Sequence, residues 1–176
     1  MPIEPDLKDW TWVLERRCPE CGFSGAEVDV AYLGRMIRDN ALAWTAVLGA
    51  DDVAERPSED RWSPLEYACH VRDVFRIYDE RLALMLTEDD PPFPNWDQDA
   101  SAVDDAYNDQ DAAVVATEIV MAGNRLADAF DAVTGDQWER TGVRSDGVAF
   151  TVDTFGRYFI HDPIHHLVDV GAGPPG

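Results

Sequence analysis

The feature that most constrains the fold is a helix start at Trp62-Ser63-Pro64-Leu65-Glu66. Ser63 can cap the first turn, a proline at the first helical position needs no N–H, and Glu66 can bond back to the cap. Apolar residues then recur at helical spacing to about Thr87. The sequence therefore predicts a long helix whose inward face carries Tyr67, His70, Val74, Ile77, Tyr78 and Met85.

Three further segments have helical periodicity: about 27–48, 109–133 and 152–170, the last capped by Thr151. The proline-rich stretch 89–105 predicts a long loop that crosses the molecule, and the turn at 144–147 could join a short, weak hairpin. We therefore expect an all-α four-helix bundle with a long crossover loop and very little sheet. In 176 residues we expect one domain, with an irregular N-terminal extension (1–26), the bundle (27–171) and a tail (172–176).

The charge balance restricts the classes of partner. The chain has 14 basic and 35 acidic residues, a formal net charge of −21. Such a surface repels phosphates and anionic lipids, so we expect neither nucleic acid nor membrane binding. The N-terminus has no basic region followed by an apolar stretch, and three cysteines without a secretion signal suggest a reducing compartment. The sequence thus predicts a cytoplasmic protein.

Histidines indicate the chemistry, since the chain has only four. His161 and His165 are one helical turn apart, and His70 lies on the inward face of the second predicted helix. Three histidine ligands would leave one open position on a tetrahedral ion, which is typical of catalytic sites. We therefore predict a metal centre at His70, His161 and His165, although a hydrogen-bonded core histidine is the alternative for His70. Tyr67 and Asp73, one turn either side of His70, are candidates to support it.

Residues around the histidine pair qualify this prediction. His166 lies about 100° around the helix from His165, so we expect it to pack or to support the site rather than bind the same ion. Asp169 could accept a hydrogen bond from a ligand ring, or it could be a surface carboxylate. Pro163 should kink the helix or mark a bulge.

Two motifs resemble the DinB-like (DinB/YfiT-type) superfamily of metalloenzymes. One is Trp62-Ser63-Pro64-Leu65-Glu66-Tyr67 with His70-Val71-Arg72-Asp73, and the other is His161-Asp162-Pro163-Ile164-His165-His166. The resemblance covers the chain from about Glu27 onward and implies a four-helix bundle, commonly a homodimer, with a divalent metal held by three histidines. By position these would be His70, His161 and His165.

The resemblance also implies an activity, because the superfamily is similar to a group that includes bacterial thiol S-transferases and mycothiol-dependent maleylpyruvate isomerase. It implies transfer of a low-molecular-weight thiol, such as mycothiol or bacillithiol, to a small electrophile, with the thiol bound to the metal. Zinc is the expected metal, with nickel or iron as alternatives. Other possibilities are a hydrolase or isomerase that uses metal-bound water, and a non-catalytic binding or stress-response module. Val168 departs from the family, which often has glutamine three residues after the last metal histidine.

The cysteines are not assigned by the resemblance. Cys18-Pro19-Glu20-Cys21-Gly22 resembles half of a zinc ribbon, but the sequence has no second such pair. A zinc knuckle completed by other residues or by a partner subunit, a redox dithiol and a tight turn without chemistry all stay open. Cys69 neighbours His70 and should point about 100° away from it.

Overall fold

The computed structural model describes residues 9–173. Within this range the regular elements are six α-helices and one two-stranded antiparallel sheet. Their bounds are α1 (Leu33–Val47), α2 (Pro64–Thr87), α3 (Gln98–Asp104), α4 (Ala112–Asp131), β1 (Thr141–Val143), β2 (Ala149–Thr151), α5 (Val152–Phe159) and α6 (His161–Asp169). The prediction of a mainly helical bundle is confirmed, with α5 and α6 together in place of the fourth predicted helix.

Helix α2 begins where the sequence predicts. The Ser63 hydroxyl accepts a hydrogen bond from the Glu66 N–H (3.1 Å), and the Glu66 carboxylate accepts one from the Ser63 N–H (2.8 Å). Arg56 pairs with the same carboxylate. Glu66 is only 4% exposed, so these partners satisfy a charge that would otherwise be costly to bury.

Helix α4 packs against both α1 and α2. A side chain at Gly123 would place its Cβ 2.9 Å from the Cβ of Ala41 and 3.2 Å from the Phe75 ring, so glycine permits the close approach of the three helices. The largest fully buried side chains of the core are Trp44, Tyr107, Phe75, Phe130, Phe155, Phe159, Leu33, Ile37, Leu65, Leu82, Met85 and Ile119.

The last predicted helix is broken at Ile160, between α5 and α6. Pro163 has no N–H to donate to the carbonyl of Phe159, so an unbroken helix would lack a bond there. Within α6, by contrast, Pro163 lies in the first turn, where the missing donor costs little. The sequence predicts a kink or a bulge at Pro163, and the structure instead has a break three residues earlier, before the first histidine of the pair.

One of the two predicted loop regions contains more structure than the sequence predicts, and the other agrees with it. The crossover segment includes the short helix α3, because the Asp97 carboxylate accepts bonds from the N–H groups of Asp99 and Ala100. The predicted weak hairpin is present, with Gly142 opposite Phe150. The first helix begins later than expected, at Leu33, after short 3₁₀ turns.

The N-terminal stretch 9–26 has little regular structure but is not detached from the bundle. Val13, Cys18 and Phe23 are buried in the common core, and Arg157 of α5 donates to the Gly25 carbonyl (3.2 Å). Most of the predicted tail (172–176), like residues 1–8, lies outside the described residues. Among the helices within 9–173, none has a run of apolar residues long enough to cross a membrane.

Candidate metal centres

Helix α6 carries two pairs of potential metal ligands on adjacent faces. His161 and His165 form one pair, and Asp162 and His166 form the other, each pair one turn apart. Because neighbouring residues are separated by about 100° around a helix, the pairs face different parts of the protein. Each pair meets a different partner in the fold.

The first cluster consists of His70 from α2 with Asp162 and His166. One ligand atom from each residue lies within 4.8 Å of the others. The Asp162 Oδ2 atom is 3.4 Å from His70 Nε2 and 3.7 Å from His166 Nε2. On its far side, the His166 ring has its Nδ1 2.8 Å from the Asp169 carboxylate. We refer to this group of three residues as the α2–α6 centre.

The carboxylates and imidazoles at the α2–α6 centre shift one another's pKa values. Burial alone would raise the pKa of Asp162, but the neighbouring imidazoles of His70 and His166 outweigh burial and hold this pKa well below its usual range. Burial likewise lowers the pKa of His166, but the carboxylates of Asp162 and Asp169 raise it to about 9. Asp162 is therefore ionised at neutral pH and presents a carboxylate to two imidazoles, whose protons a bound cation would displace.

Aromatic side chains hold both rings of this centre. The His70 ring is stacked on Trp96 with centroids 5.6 Å apart and contacts Trp62 at 5.5 Å. Tyr67 packs on the His166 ring at 4.9 Å. These contacts restrict the rotation of the two imidazoles, and His70 is only 1% exposed.

The second cluster joins His161 and His165 to Cys18 and Cys21 of the N-terminal stretch, again with one ligand atom from each within 4.8 Å of the others. Cys18 Sγ is 3.7 Å from His165 Nδ1. Burial, and next to it the charge of His165, lowers the pKa of His161 to about 4, so this imidazole is neutral at neutral pH. Burial raises the pKa of the Cys21 thiol to about 11, opposed by a hydrogen bond from the Phe23 backbone.

The structure does not bring the three predicted ligands together. His70 faces Asp162 and His166, whereas His161 and His165 face the cysteines. The reason is the rotation of α6, whose 162/166 face is turned toward α2. We therefore revise the ligand set for the centre at His70. The sequence analysis overlooked Asp162 and treated His166 as a supporting residue, although these two have the same four-residue spacing as the histidine pair.

Three residues were predicted to support the site. Asp169 does bond a ring of the site, but its closest partner is His166 rather than His165, whose Nε2 is 3.9 Å away. With His166 as the last ligand, the position three residues later is Asp169 and not Val168. Tyr67 contacts the site through the His166 ring.

Asp73 does not take the supporting role predicted for it. Its carboxylate bonds Arg72 (2.9 Å) and the Tyr107 hydroxyl (2.6 Å), away from His70. Burial would raise the pKa of Asp73, but these two partners lower it below its usual value. Asp73 is therefore part of a polar network between α2 and the crossover segment.

A cleft of about 940 Å³ opens beside the α2–α6 centre. Asp162, His166 and Asp169 lie in its wall, together with Trp62, Trp96 and Tyr78, and His161 and His165 line it as well. Arg144 and Tyr158 line the same cleft, and Arg144 donates to the Tyr158 hydroxyl (3.0 Å). The cleft thus combines aromatic side chains, polar groups and potential metal ligands.

Comparisons with known proteins agree with this architecture. The chain is similar in structure to YfiT from Bacillus subtilis, which is described as "a probable metal-dependent hydrolase with an unusual four-helix bundle topology". The TM-score is 0.72 at 16% sequence identity, over 81% of this chain and 85% of YfiT, so the likeness concerns the fold. No curated protein matches the chain. A family model described as the DinB superfamily matches residues 35–169, which is well over half of the sequence, and the chain belongs to this superfamily.

Proposed function

We propose that this protein is a divalent-metal-dependent enzyme of hydrolase type, with the ion held by His70, Asp162 and His166. The observation that carries the proposal is the convergence of these three ligand atoms, within 4.8 Å of one another, beside an open cleft. Three protein ligands leave a coordination position for a substrate, as catalytic sites require.

The residues fit a divalent ion. Two imidazoles and one carboxylate are a donor set that suits zinc, nickel or iron. The Asp162 Oδ1 atom lies 3.3 Å from His70 Nε2, yet it is buried and has no hydrogen-bond partner among the described residues. A buried carboxylate oxygen without a partner is costly, and a bound cation would satisfy it. A bound ion of this kind polarises a substrate and supplies a nucleophile at neutral pH.

Residues around the α2–α6 centre orient the ligand side chains that would bind the ion. Asp169 accepts the hydrogen bond of His166 Nδ1, so Nε2, which lies 3.7 Å from Asp162, is the ring nitrogen that an ion would bind on displacing its proton. Trp96 and Tyr67 hold the two rings in place. Together these contacts fix the ligands before the ion binds, which reduces the entropy that binding would cost.

The cleft indicates the class of substrate. Its volume of about 940 Å³ suits a small organic molecule, and the wall of Trp62, Trp96 and Tyr78 would bury an apolar part of such a molecule. Arg144 and Tyr158 also line the cleft, and the Tyr158 hydroxyl, which accepts a bond from Arg144, can donate to a polar group. We therefore infer a small substrate with an apolar body and a polar end.

YfiT supports the hydrolase reading, since it shares this fold and is described as a probable metal-dependent hydrolase. Thiol transfer, which the family resemblance implies, remains a prediction, as do the homodimer and the cytoplasmic location.

One experiment tests both hydrolysis and thiol transfer. The full chain is depleted of metal, reloaded separately with zinc, nickel and iron, and assayed on ester and amide substrates and on electrophiles with low-molecular-weight thiols.

We expect turnover of the hydrolytic substrates to depend on the metal and to fall to background in His70→Ala and Asp162→Asn. Asp79→Asn is the matched control, because Asp79 is a shielded carboxylate of α2 that pairs with Arg125 (2.6 Å) outside the centre. Turnover that survives both metal removal and His70→Ala would refute the proposal. Metal-dependent turnover that requires a thiol would replace hydrolysis with transfer, and bound metal without any turnover would indicate a non-catalytic module.

A further inference from the structure

We propose that Cys18, Cys21, His161 and His165 form a second metal site, a closed Cys₂His₂ zinc centre that fastens the N-terminal stretch to α6. The four residues come from two segments that are about 140 positions apart in sequence, yet one ligand atom of each lies within 4.8 Å of the other three. The site is distinct from the α2–α6 centre, because it uses the other face of α6.

The cysteine turn has the local geometry that a zinc knuckle needs. The Cys18 N–H donates to the Phe23 carbonyl (2.7 Å), and the Gly22 N–H donates to the Cys18 carbonyl (2.9 Å). Gly22 takes a positive φ of 76°, which is readily accessible to glycine and rarely adopted by other residues. This tight turn places both sulfur atoms on the side that faces α6.

The distance between one sulfur and one nitrogen of the cluster matches a tetrahedral ion. Zn–S bonds of about 2.3 Å and Zn–N bonds of about 2.0–2.1 Å separate the sulfur and nitrogen ligands of one ion by roughly 3.6 Å. The Cys18 Sγ and His165 Nδ1 atoms are 3.7 Å apart. Two thiolates and two imidazoles are also a donor set commonly found in structural zinc sites.

The burial of the ligand side chains also supports a bound metal ion at this site. Cys18 is fully buried, and His161 and His165 are 4% and 8% exposed. The Nε2 atom of His161 is buried and has no hydrogen-bond partner among the described residues. A buried polar atom of this kind requires an explanation, and an ion on its lone pair provides one.

Two aromatic side chains pack against the cluster, and the Glu20 carboxylate lies 3.4 Å from His165 Nε2. The Trp10 ring packs on His161 and His165 with centroids 5.3 and 5.2 Å away, and Phe23 packs on His161 at 5.2 Å. Although His161 and His165 also line the cleft, four protein ligands complete a tetrahedral ion and leave no coordination position for a substrate, which is typical of structural rather than catalytic zinc. The ion would hold Trp10, which also lines the cleft, in its place beside α6.

Metal stoichiometry and cobalt spectroscopy test the proposal on the full chain. After loading with zinc, we expect two equivalents per chain, falling to one in Cys18→Ser/Cys21→Ser. With Co²⁺ in place of zinc, we expect thiolate-to-cobalt charge-transfer absorption, which that double variant loses. Cys69→Ser is the matched control and should retain both ions and the absorption, because Cys69 is a buried cysteine outside the cluster.

Two further variants distinguish loss of this site from loss of the α2–α6 centre and from misfolding. His70→Ala/His166→Ala should lose one equivalent and keep the charge-transfer absorption, so failure of the α2–α6 centre is distinguishable from failure of this site. His161→Cys should keep the ion and strengthen the absorption, because it adds a third thiolate, and this result cannot arise from misfolding. Absence of the absorption in the cobalt-loaded wild-type chain, or a Cys18–Cys21 disulfide in the protein purified under reducing conditions, would overturn the proposal.

Discussion

Asp169 provides the sharpest test of how the α2–α6 centre is built. Its carboxylate lies 2.8 Å from His166 Nδ1, and its side chain is 25% exposed, so the hydrogen bond is largely shielded from water. Asp169 itself is not a proposed ligand. We therefore expect Asp169→Ala to leave the three ligands in place but to release the His166 ring and reduce its basicity.

The expected size of the effect follows from the type of contact. Loss of a carboxylate that supports a ligand histidine typically weakens metal binding about 10- to 100-fold, which is about 1.4–2.7 kcal/mol. Asp169→Asn keeps an oxygen that can accept the hydrogen bond but removes the charge. We expect it to fall at the lower end of this range and Asp169→Ala at the upper end.

A competition titration with a chromophoric chelator at neutral pH measures both affinities, and circular dichroism checks that the variants fold. His70→Ala gives the baseline for metal bound elsewhere in the chain. Asp79→Asn, with its carboxylate paired to Arg125, should bind metal as the wild type does. If Asp169→Ala binds within twofold of the wild type, the hydrogen bond to His166 does not support a metal ligand and our reasoning fails.

Three further predictions concern the fold and are measured by urea unfolding. Ser63→Ala removes the α2 cap and should lower the free energy of unfolding by about 0.5–2 kcal/mol, whereas an unchanged value would show that the cap is dispensable. Gly123→Ala should destabilise the bundle by about 1–3 kcal/mol, because the new methyl group would lie 2.9 Å from Ala41 Cβ. This loss should exceed the gain from the better helix propensity of alanine, and a more stable variant would contradict the packing. Burial would raise the pKa of Asp73, but its bond to Arg72 lowers this pKa in the folded protein. The contribution of Asp73 to stability is therefore complete above about pH 4 and is lost as the pH falls through the folded-state pKa. Asp73→Asn should therefore lose more stability at pH 5 than at pH 3, and equal losses at the two pH values would exclude this linkage.

Local signals made much of the fold predictable. The capping box at Ser63 and the spacing of apolar residues are properties of short segments, and α2 spans the residues that they indicate. The break beside Pro163 is also local, because it follows from a missing N–H. Helix α3 was not predicted, since its start depends on one Asp97 cap within a proline-rich stretch.

The grouping of ligands depends on tertiary structure, and the sequence did not determine it. Four-residue spacing shows that His161 pairs with His165, and equally that Asp162 pairs with His166. Which pair faces His70 depends on the rotation of α6 about its axis, and helical periodicity contains no information on that rotation. The same limit applies to the cysteines, whose partners are distant in sequence.

Rotation of α6 is itself restrained by a contact whose role can be tested. The Asn40 side chain of α1 is buried and donates to the Pro163 carbonyl (2.9 Å). Pro163 lies in α6 within the sequence span of both ligand pairs. Because a turn of about 100° would exchange the 161/165 face for the 162/166 face, this hydrogen bond helps to keep each pair with its own partners.

Asn40→Ala should therefore cost about 1 kcal/mol of stability and weaken metal binding at both clusters together. Asp169→Ala, in contrast, should weaken only the α2–α6 centre. Thr45→Ala is the matched control, since Thr45 is another polar residue of α1 and donates to the Leu42 carbonyl within the same helix. If Asn40→Ala loses stability while both metal affinities stay unchanged, the hydrogen bond contributes to folding but does not set the rotation of α6. If both affinities fall together, the two clusters are coupled through the orientation of a single helix.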